Sequence, residues 1–249
     1  MDSSIIILVI GAVFLGSLMR STFGFGDSVV SMPLLALLPI PFSTTVSLVA
    51  LVGCTVAIIS IFSGWKNLDR TILLKLSVST IFGIPFGLLL VNYAEKKWIS
   101  LILGILLVSY SVYSVLGSKR RQLTIQTEFT NTNYGLPFGF SAGMLGSAYN
   151  MNGIPIVLYG TMSNWSPSKF KDTLQAHFLL SSLLIVISHF LSGFWTRELG
   201  VYFVLSLPAV LLAIFTGNYL YTRIKTEKFK KIVLLSIFLL GVFTLIDFF

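Results

Sequence analysis

Two stretches of the sequence share one pattern and decide the fold. Residues 23–33 read FGFGDSVVSMP, and residues 145–155 read LGSAYNMNGIP. Each stretch interrupts a long apolar region, 5–40 in the first case and 134–163 in the second. Glycine, proline and polar residues in the middle of an apolar run break regular helix. We therefore predict broken helices, or hairpins of short half-helices, in both regions.

The two halves of the chain share further landmarks in the same order, which is typical of an internal repeat. The matched positions are Gly24 with Gly146, Pro33 with Pro155, Ser63-Gly64-Trp65 with Ser192-Gly193-Phe194, Asp69 with Glu198, and Pro85 with Pro208. They predict one transmembrane domain over residues 1–249, in which repeat one covers 1–117, a cytoplasmic loop covers 118–133 and repeat two covers 134–249.

The composition is that of a membrane protein. Of the 249 residues, 55% are hydrophobic and 10% are charged, whereas about a quarter of the residues in soluble domains are charged. The formal net charge of +8 lies mostly in short loops between apolar runs, which indicates membrane orientation and not binding to nucleic acid. The first twenty residues lack the basic start and cleavage site of a signal peptide, so we expect them to belong to the mature fold.

Six apolar runs have about 17 to 25 residues each, enough to cross the hydrocarbon core of a bilayer as helices. They are residues 44–64, 71–93, 98–117, 170–192, 199–222 and 232–248. Together with the interrupted regions they predict an all-α polytopic membrane protein of about 8 to 10 transmembrane segments. Each of its two inverted repeats would hold an interrupted helix or hairpin at the membrane midplane plus three long spans.

The loop charges predict the orientation, because cytoplasmic loops carry an excess of Lys and Arg. The strongest basic clusters are Lys119, Arg120 and Arg121, and then Arg223, Lys225, Lys228, Lys230 and Lys231. If both clusters are cytoplasmic, Lys66, Arg70, Lys169 and Lys171 lie on the same face, Lys75 snorkels to it, and Lys96, Lys97 and Arg197 lie outside. Each interrupted region then contributes an even number of crossings, as a re-entrant hairpin or two short helices, and both termini lie outside.

The first break carries two charges. Arg20 and Asp27 lie seven positions apart around Gly24 and Gly26, and charges embedded in a membrane are costly enough to suggest function. As a functional pair, Arg20 would attract an anion and Asp27 would titrate with a coupled proton. The alternatives are a structural ion pair or an arginine that snorkels to a lipid headgroup.

The second break carries neutral polar groups. Asn150 and Asn152 could donate to an oxyanion, or they could cap helices. The N–H groups that follow Gly26 and Gly153 would also attract an anion, because half-helix N-termini hold unpaired donors and the positive dipole end. Glycine could instead serve close helix packing. The remaining candidates for substrate binding are Gly24, Ser28, Gly146, Ser147, Tyr149 and Gln175.

Gln175 and His177 stand near the start of a span, where they could close the cavity from the cytoplasmic side, with His177 a further candidate for proton coupling. Ordinary hydrogen bonds between helices would explain both residues equally well. His177 and His189 lack the spacing and companions of a metal site, and no nucleotide-binding or hydrolase motif is visible. We expect no cofactor, no metal and no enzymatic activity, and we interpret the single Cys54 as a packing residue.

These residues resemble the sulfite exporter family TauE/SafE, also called the toluene sulfonate uptake permease family. The family pattern has a break G-x-G-G-G followed by proline in each half, then N-x-x-G-P-x-x-x-x-Y and W-x-x-x-x-F-R-x-T-L in the second half. This chain reads GFGDSVVSMP and YNMNGIPIVLYGTMSNWSPSKFKDTLQ. It departs from the pattern at Asp27-Ser28, which replace a glycine pair, at Ile154, where proline is usual, and at Lys171, which stands for arginine.

The resemblance covers nearly the whole chain and implies a secondary transporter of the cell membrane. Its substrate would be a small sulfur-containing anion such as sulfite, thiosulfate or an organosulfonate. The expected partners are this anion, membrane lipid and, in a homo-oligomer, further copies of the chain. The alternative is a membrane-embedded enzyme or assembly subunit that handles sulfur compounds without net transport. The departures fall at or near the predicted site, so they bear on the substrate more than on the fold.

Overall fold

A computed structural model describes residues 2–24, 26–60, 68–120, 132–163 and 165–221, together with positions 235, 238, 239, 241, 242, 245 and 246. Within these ranges the regular structure is helical. The helices are α1 Ser3–Phe23, α2 Asp27–Ala36, α3 Phe42–Ser60, α4 Arg70–Tyr93, α5 Lys96–Arg120, α6 Gly135–Tyr149, α7 Gly153–Met162, α8 Pro167–Leu191 and α9 Arg197–Tyr221. A short 3₁₀ turn, Thr132–Tyr134, precedes α6.

Five of these helices, α1, α3, α4, α8 and α9, are long and apolar enough to cross a membrane. Large apolar side chains such as Phe82, Phe86 and Phe215 are exposed on them, as expected of faces that contact lipid. The predicted spans of α3, α4, α5, α8 and α9 are each present as a helix. Of the predicted span 232–248, the structure describes seven positions, each of them helical, and the rest lies outside the described residues. The chain is a multi-pass membrane protein.

Polar residues at the loop ends set the starts of three of the helices. Side-chain oxygens of Asp2, Asp69 and Ser166 accept the backbone N–H groups of Ser4, Ile72 and Lys169 at 2.9, 3.0 and 3.3 Å, respectively. Such caps satisfy N–H groups that have no partner in the first turn of a helix. Each cap therefore separates a loop from the apolar run that follows it.

Two close helix pairs flank a central one. α1 packs along α9, α4 packs along α6, and α3 packs against α8 between them. The α4–α6 contact depends on Gly83 and Gly87 of α4 and on Gly139 and Gly143 of α6, because a Cβ atom on any of these would collide with the partner helix. Small residues let membrane helices approach closely enough for backbone contact. The α4–α6 pair is therefore a tightly packed unit.

Both interrupted regions are broken helices, as predicted. The first consists of the 21-residue α1 and the 10-residue α2, and the second of the 15-residue α6 and the 10-residue α7. Gly24 and Gly146, which match in the sequence, do not occupy equivalent positions in the two breaks. Gly24 ends α1 in the left-handed conformation, whereas the residue that ends α6 in this way is Asn150, about one turn beyond Gly146.

Candidate functional site

The first break is made by two glycines. Gly24 has φ +83° and Gly26 has φ +94°, a region of backbone conformation that side chains with a Cβ rarely adopt. The N–H of Gly24 donates to the carbonyl of Arg20 at 2.7 Å, which closes the last turn of α1. Gly26 is the N-cap position of α2, so this half-helix begins at Asp27 as the sequence predicts. One helix thus ends at Phe23 and the next begins at Asp27, with left-handed glycines at positions 24 and 26.

The second break uses asparagine for the same purpose. Asn150 has φ +55°, which asparagine tolerates better than most residues. Its N–H donates to the carbonyl of Gly146 at 2.7 Å, and the N–H of Met151 donates to the carbonyl of Leu145 at 3.1 Å. The half-helix α7 then begins at Gly153, also as predicted.

Arg20 and Asp27 form a buried ion pair at the first break. The Nη1 atom of Arg20 lies 2.7 Å from Oδ2 of Asp27, and the two side chains are only 5% and 10% exposed. Asp27 is the first residue of α2, where a carboxylate is stabilised by the helix dipole. The pairing that the sequence spacing indicated is therefore present, and the structure places it inside the protein.

Two nitrogen atoms of the Arg20 guanidinium have no hydrogen-bond partner among the described residues. These atoms, Nε and Nη2, are both buried. The central carbon of the guanidinium lies 5.1 Å from the centre of the Phe178 ring, as in a cation–π contact. A buried donor without a partner is costly, so the free side of the guanidinium is suited to an acceptor that comes from outside the protein.

A small cavity lies between the two breaks. The room for the centre of a water molecule is about 10 Å³, within about 280 Å³ of empty space that includes open solvent at the mouth, and the walls come from both halves of the chain. The lining residues are Arg20, Gly26, Asp27, Ser28, Val29, Met151, Asn152, Gly153, Ile154 and Phe178. The cavity therefore meets the starts of both half-helices, α2 and α7.

Gly53 of α3 lets polar groups from both breaks come together. A Cβ atom at this position would lie 3.0 Å from Oδ2 of Asp27, 3.2 Å from Nη1 of Arg20 and 3.2 Å from Nδ2 of Asn150. The ion pair of the first break and an amide of the second break thus lie against the same bare stretch of α3 backbone. A larger residue here would crowd all three groups.

The two amides of the second break make hydrogen bonds inside the protein. Nδ2 of Asn150 donates to the carbonyl of Val49 at 3.1 Å, and Nδ2 of Asn152 donates to Oγ of Ser181 at 2.5 Å. Oδ1 of Asn150 has no partner in the described part of the chain. Asn150 also caps α6, the alternative role considered for it, and Asn152 additionally lines the cavity.

Gln175 and His177 both make hydrogen bonds between helices. Nε2 of Gln175 donates to the carbonyl of Gly24 at 2.9 Å, so a side chain of α8 satisfies a backbone group freed by the first break. Nε2 of His177 lies 3.1 Å from Oγ1 of Thr80, and the ring is completely buried. Neither residue is part of the cavity wall, which favours the bonding roles over a direct part in closing the cavity.

The remaining predicted site residues divide into two groups. Ser28 and Gly153 line the cavity, whereas Gly146 lies inside α6, packed against Ile185 and Asn152. Ser147 donates to the carbonyl of Ile84 on α4 at 2.8 Å. Tyr149 is buried, with its ring edge-on to Phe42 at 6.0 Å. Gly146 and Ser147 thus serve helix packing in this structure.

Sequence reasoning missed Phe178 and Gly53. Phe178 looks like any apolar residue of a span, and its only signal is its place one turn after Gln175 on the same helix face. Gly53 is one of many glycines. Cys54 next to it is buried, in agreement with a packing role. No group of three or more potential metal ligands occurs among the residues that the structure describes.

A second ion pair joins the starts of α4 and α8. Nζ of Lys169 lies 2.8 Å from Oδ2 of Asp69, the residue that caps α4. Burial raises the pKa of Asp69, but hydrogen bonds from Lys169 and the N–H of Ile72 outweigh it, so the pKa lies below its ordinary value. Nearby, Lys75 donates to Thr132 at 2.5 Å. These contacts place the starts of α4, α6 and α8 at one end of the molecule.

Comparison with known proteins agrees with the resemblance seen in the sequence. The family model described as sulfite exporter TauE/SafE matches residues 8–244. No curated protein and no solved structure gives a significant match. The matched range includes both helix breaks, the ion pair and every residue that lines the cavity. The chain therefore belongs to the sulfite exporter TauE/SafE family, which is a family of membrane transporters.

Proposed function

We propose that this protein is a secondary transporter of the cell membrane that carries a small sulfur-containing anion, such as sulfite, thiosulfate or an organosulfonate, with coupling to protons. Family membership supports transport of this general kind. The observation that carries the proposal is the state of the Arg20 side chain. Its guanidinium is buried at a cavity between two half-helix starts, and two of its nitrogen atoms lack a partner in the described residues.

Arg20 is the anion receptor in this proposal. An arginine can present two parallel N–H groups to one oxyanion, which gives both strength and orientation. The N-terminus of α7 begins with Gly153, which has no side chain of its own, and lines the same cavity, so its N–H groups add a positive dipole end to the site. The second break would thereby contribute backbone donors, while its asparagine side chains hold the break in shape.

Asp27 competes with the substrate for Arg20. While Asp27 is ionised, its carboxylate occupies one edge of the guanidinium at 2.7 Å. Protonation of Asp27 would remove the negative charge that repels an incoming anion and would free this edge of Arg20. Proton and anion would then enter the cavity together and leave together, so a pH gradient would drive transport.

The packing of the helices supports two inverted repeats. If α1, α2, α3 and α4 correspond to α6, α7, α8 and α9, then the α1–α9 pair corresponds to the α6–α4 pair, and both are the closest pairs in the bundle. The α3–α9 contact likewise corresponds to α8–α4, and α3–α8 lies on the axis between the halves. This pattern is what a two-fold relation between repeats produces.

We also propose that the starts of α4, α6 and α8 face the cytoplasm and that both termini lie outside. The contacts of Lys75 with Thr132 and of Lys169 with Asp69 hold these starts at one end, and positive charge is concentrated in cytoplasmic loops. Residues 121–131 and 222–234, which contain Arg121 and the second basic cluster, lie outside the described ranges. The side of the membrane on which each segment lies is therefore tested separately.

Transport is tested with the purified protein in liposomes. Uptake of labelled sulfite, thiosulfate, sulfate and methanesulfonate would be measured with an inward proton gradient, with an outward one and with none. We expect uptake of at least one sulfur anion, faster when the gradient is inward. Protein-free liposomes provide the control. Robust flux of a cation or a sugar, without flux of any sulfur anion, would contradict the proposal.

The orientation is tested with single cysteines in a Cys54→Ala background. One cysteine is placed in residues 121–131, one in 222–234 and one at Asp2, and an impermeant maleimide is added to intact cells. We expect labelling at position 2 alone before lysis, and at all three positions after it. Labelling of the two basic segments from opposite sides would refute the inverted-repeat arrangement.

A further inference from the structure

Phe178 of α8 stands between the two anchoring features of the cavity. On one side its ring lies 5.1 Å from the guanidinium carbon of Arg20. On the other side it contacts the first residue of α7, where a Cβ atom added to Gly153 would lie 2.7 Å from Cζ and 2.9 Å from Cε1 of the ring. The side chain is only 4% exposed. The ring therefore lies between Arg20 and the start of α7 and forms one wall of the cavity.

Neighbours on α8 hold Phe178 in this place. Gln175, one turn earlier, donates to Gly24 at the first break, and Ser181, one turn later, accepts from Asn152 at the second break. Residues at this spacing share one face of a helix. A single face of α8 thus contacts the first break, the cavity and the second break in turn, so α8 cannot shift away from the cavity without disturbing these bonds.

The position of the ring limits the size of a ligand. An anion bound to Arg20 in the cavity has its remaining atoms close to Phe178, because the ring lies 5.1 Å from the guanidinium carbon and lines the same cavity. A compact ion such as sulfite or thiosulfate needs little room beyond its oxygen or sulfur atoms. An organosulfonate has an alkyl or aryl group on the same sulfur, and that group would compete with the ring for space. Packed interiors do not yield such volume without cost.

We infer that Phe178 is the specificity-determining residue of the site and restricts the substrate to compact inorganic sulfur oxyanions, excluding organosulfonates with bulky groups. This inference rests on the proposed transport function and narrows its substrate class. It assigns to Phe178 a role in selection between substrates, in addition to its contact with Arg20.

The test is competition in proteoliposomes. Uptake of labelled sulfite is measured against increasing concentrations of unlabelled sulfite, methanesulfonate, ethanesulfonate and benzenesulfonate. For the wild type we expect inhibition to weaken as the organic group grows. In Phe178→Ala and Phe178→Leu we expect the ratio of the inhibition constants for benzenesulfonate and sulfite to fall by about tenfold or more, the usual effect of changing the room in an apolar pocket. The ratio is informative because loss of the ring contact with Arg20 affects both head groups alike.

The matched control is Phe190→Leu, the same substitution on the same helix at a side chain that is 60% exposed. It should leave the ratio unchanged. Equal inhibition of the wild type by benzenesulfonate and sulfite, or an unchanged ratio in a Phe178→Leu variant that still takes up sulfite, would overturn the inference and leave the transport function standing. Absence of any sulfur anion flux in the wild type would overturn both.

A second substitution tests the contact itself. Gly153→Ala places a methyl group against the ring of Phe178, so we expect sulfite uptake to fall by about tenfold or more. Adding Phe178→Leu should restore most of this loss, because the shorter side chain makes room for the methyl group. An equal loss in the single and double variants would show that the ring does not fill this space, and would overturn the inference.

Discussion

The two helix breaks have similar backbone geometry and different chemistry. At the first break, a carboxylate stands at the start of α2 and pairs with a buried arginine. At the second break, α7 starts with a glycine, and the neighbouring asparagines donate to protein groups. The dipole end of α2 is therefore already occupied by Asp27, whereas that of α7 lies at the cavity without a carboxylate.

The two breaks therefore differ in how they can respond to a ligand or a proton. Buried charges in a membrane protein are expensive, and the chain places them at one break only. The charged break can respond to a proton or an anion, because either one changes the partner of Arg20. The neutral break has no ionisable group within hydrogen-bonding distance of its amides in the described contacts, so it serves as a frame with backbone donors.

Removal of the arginine should have the largest effect. In Arg20→Gln, Asp27 remains buried without its cation, and we expect a loss of about 3 to 5 kcal/mol in the free energy of unfolding. Sulfite uptake should fall by roughly a hundredfold or more, since each hydrogen bond to a charged group contributes about 1.5 to 3 kcal/mol. Unfolding in detergent with added SDS, and uptake in liposomes, measure the two effects.

The double variant Arg20→Gln with Asp27→Asn separates folding from function. It should recover most of the stability and none of the uptake, because no unpaired charge remains and no receptor remains. Lys97→Gln is the control, since that ion pair with Glu95 is exposed and should contribute little. Uptake at the wild-type rate in the double variant would remove Arg20 from the site.

Asp27→Asn alone tests whether the charged break couples transport to protons. We expect this variant to bind sulfite and to exchange it across the membrane, because Arg20 is then permanently released from a carboxylate. Accumulation driven by a pH gradient should be lost. Counterflow of labelled sulfite and gradient-driven uptake are compared in the same vesicles. If the variant keeps the pH dependence of the wild type, Asp27 is not the proton carrier.

Substitutions of Asn150 test whether this residue stabilises the second break. Asn150→Ala loses the bond to Val49 and puts alanine at φ +55°, so we expect a loss of about 2 kcal/mol in the free energy of unfolding. Asn150→Gly loses the bond but relieves the strain, and should cost about 1 kcal/mol. Asn92→Ala, at an exposed position of α4, is the control. A larger loss in the glycine variant than in the alanine variant would contradict the left-handed cap.

The smallest effect is expected away from both breaks, at the pair of Asp69 and Lys169. The pKa of Asp69 is lowered in the folded protein. The resulting stability is therefore present above the ordinary carboxyl pKa and is lost as the pH falls through the lowered value. Asp69→Asn should cost less than about 1 kcal/mol at pH 7 and should make unfolding less dependent on pH in the acid range. An unchanged acid profile would show that this pair does not contribute.

Local sequence patterns alone predicted the membrane class, the helical spans, both breaks and the neighbourhood of Arg20 and Asp27. These features depend on apolar runs long enough to cross a bilayer and on glycines between residues that are close in the chain. The free-energy cost of burying a charge in a membrane supports the prediction for Arg20 and Asp27, since a charge inside an apolar run needs a partner or a function.

The other side chains that contact these charges and the breaks are visible in the tertiary structure alone. Phe178 reaches Arg20, Gln175 reaches Gly24, and Asn150 reaches Val49, each across more than a hundred positions of the chain. A span contains many apolar and small residues of equal local character, and the angle and depth at which helices pack select those that face the cavity. That choice depends on the whole bundle, which no single stretch of sequence contains.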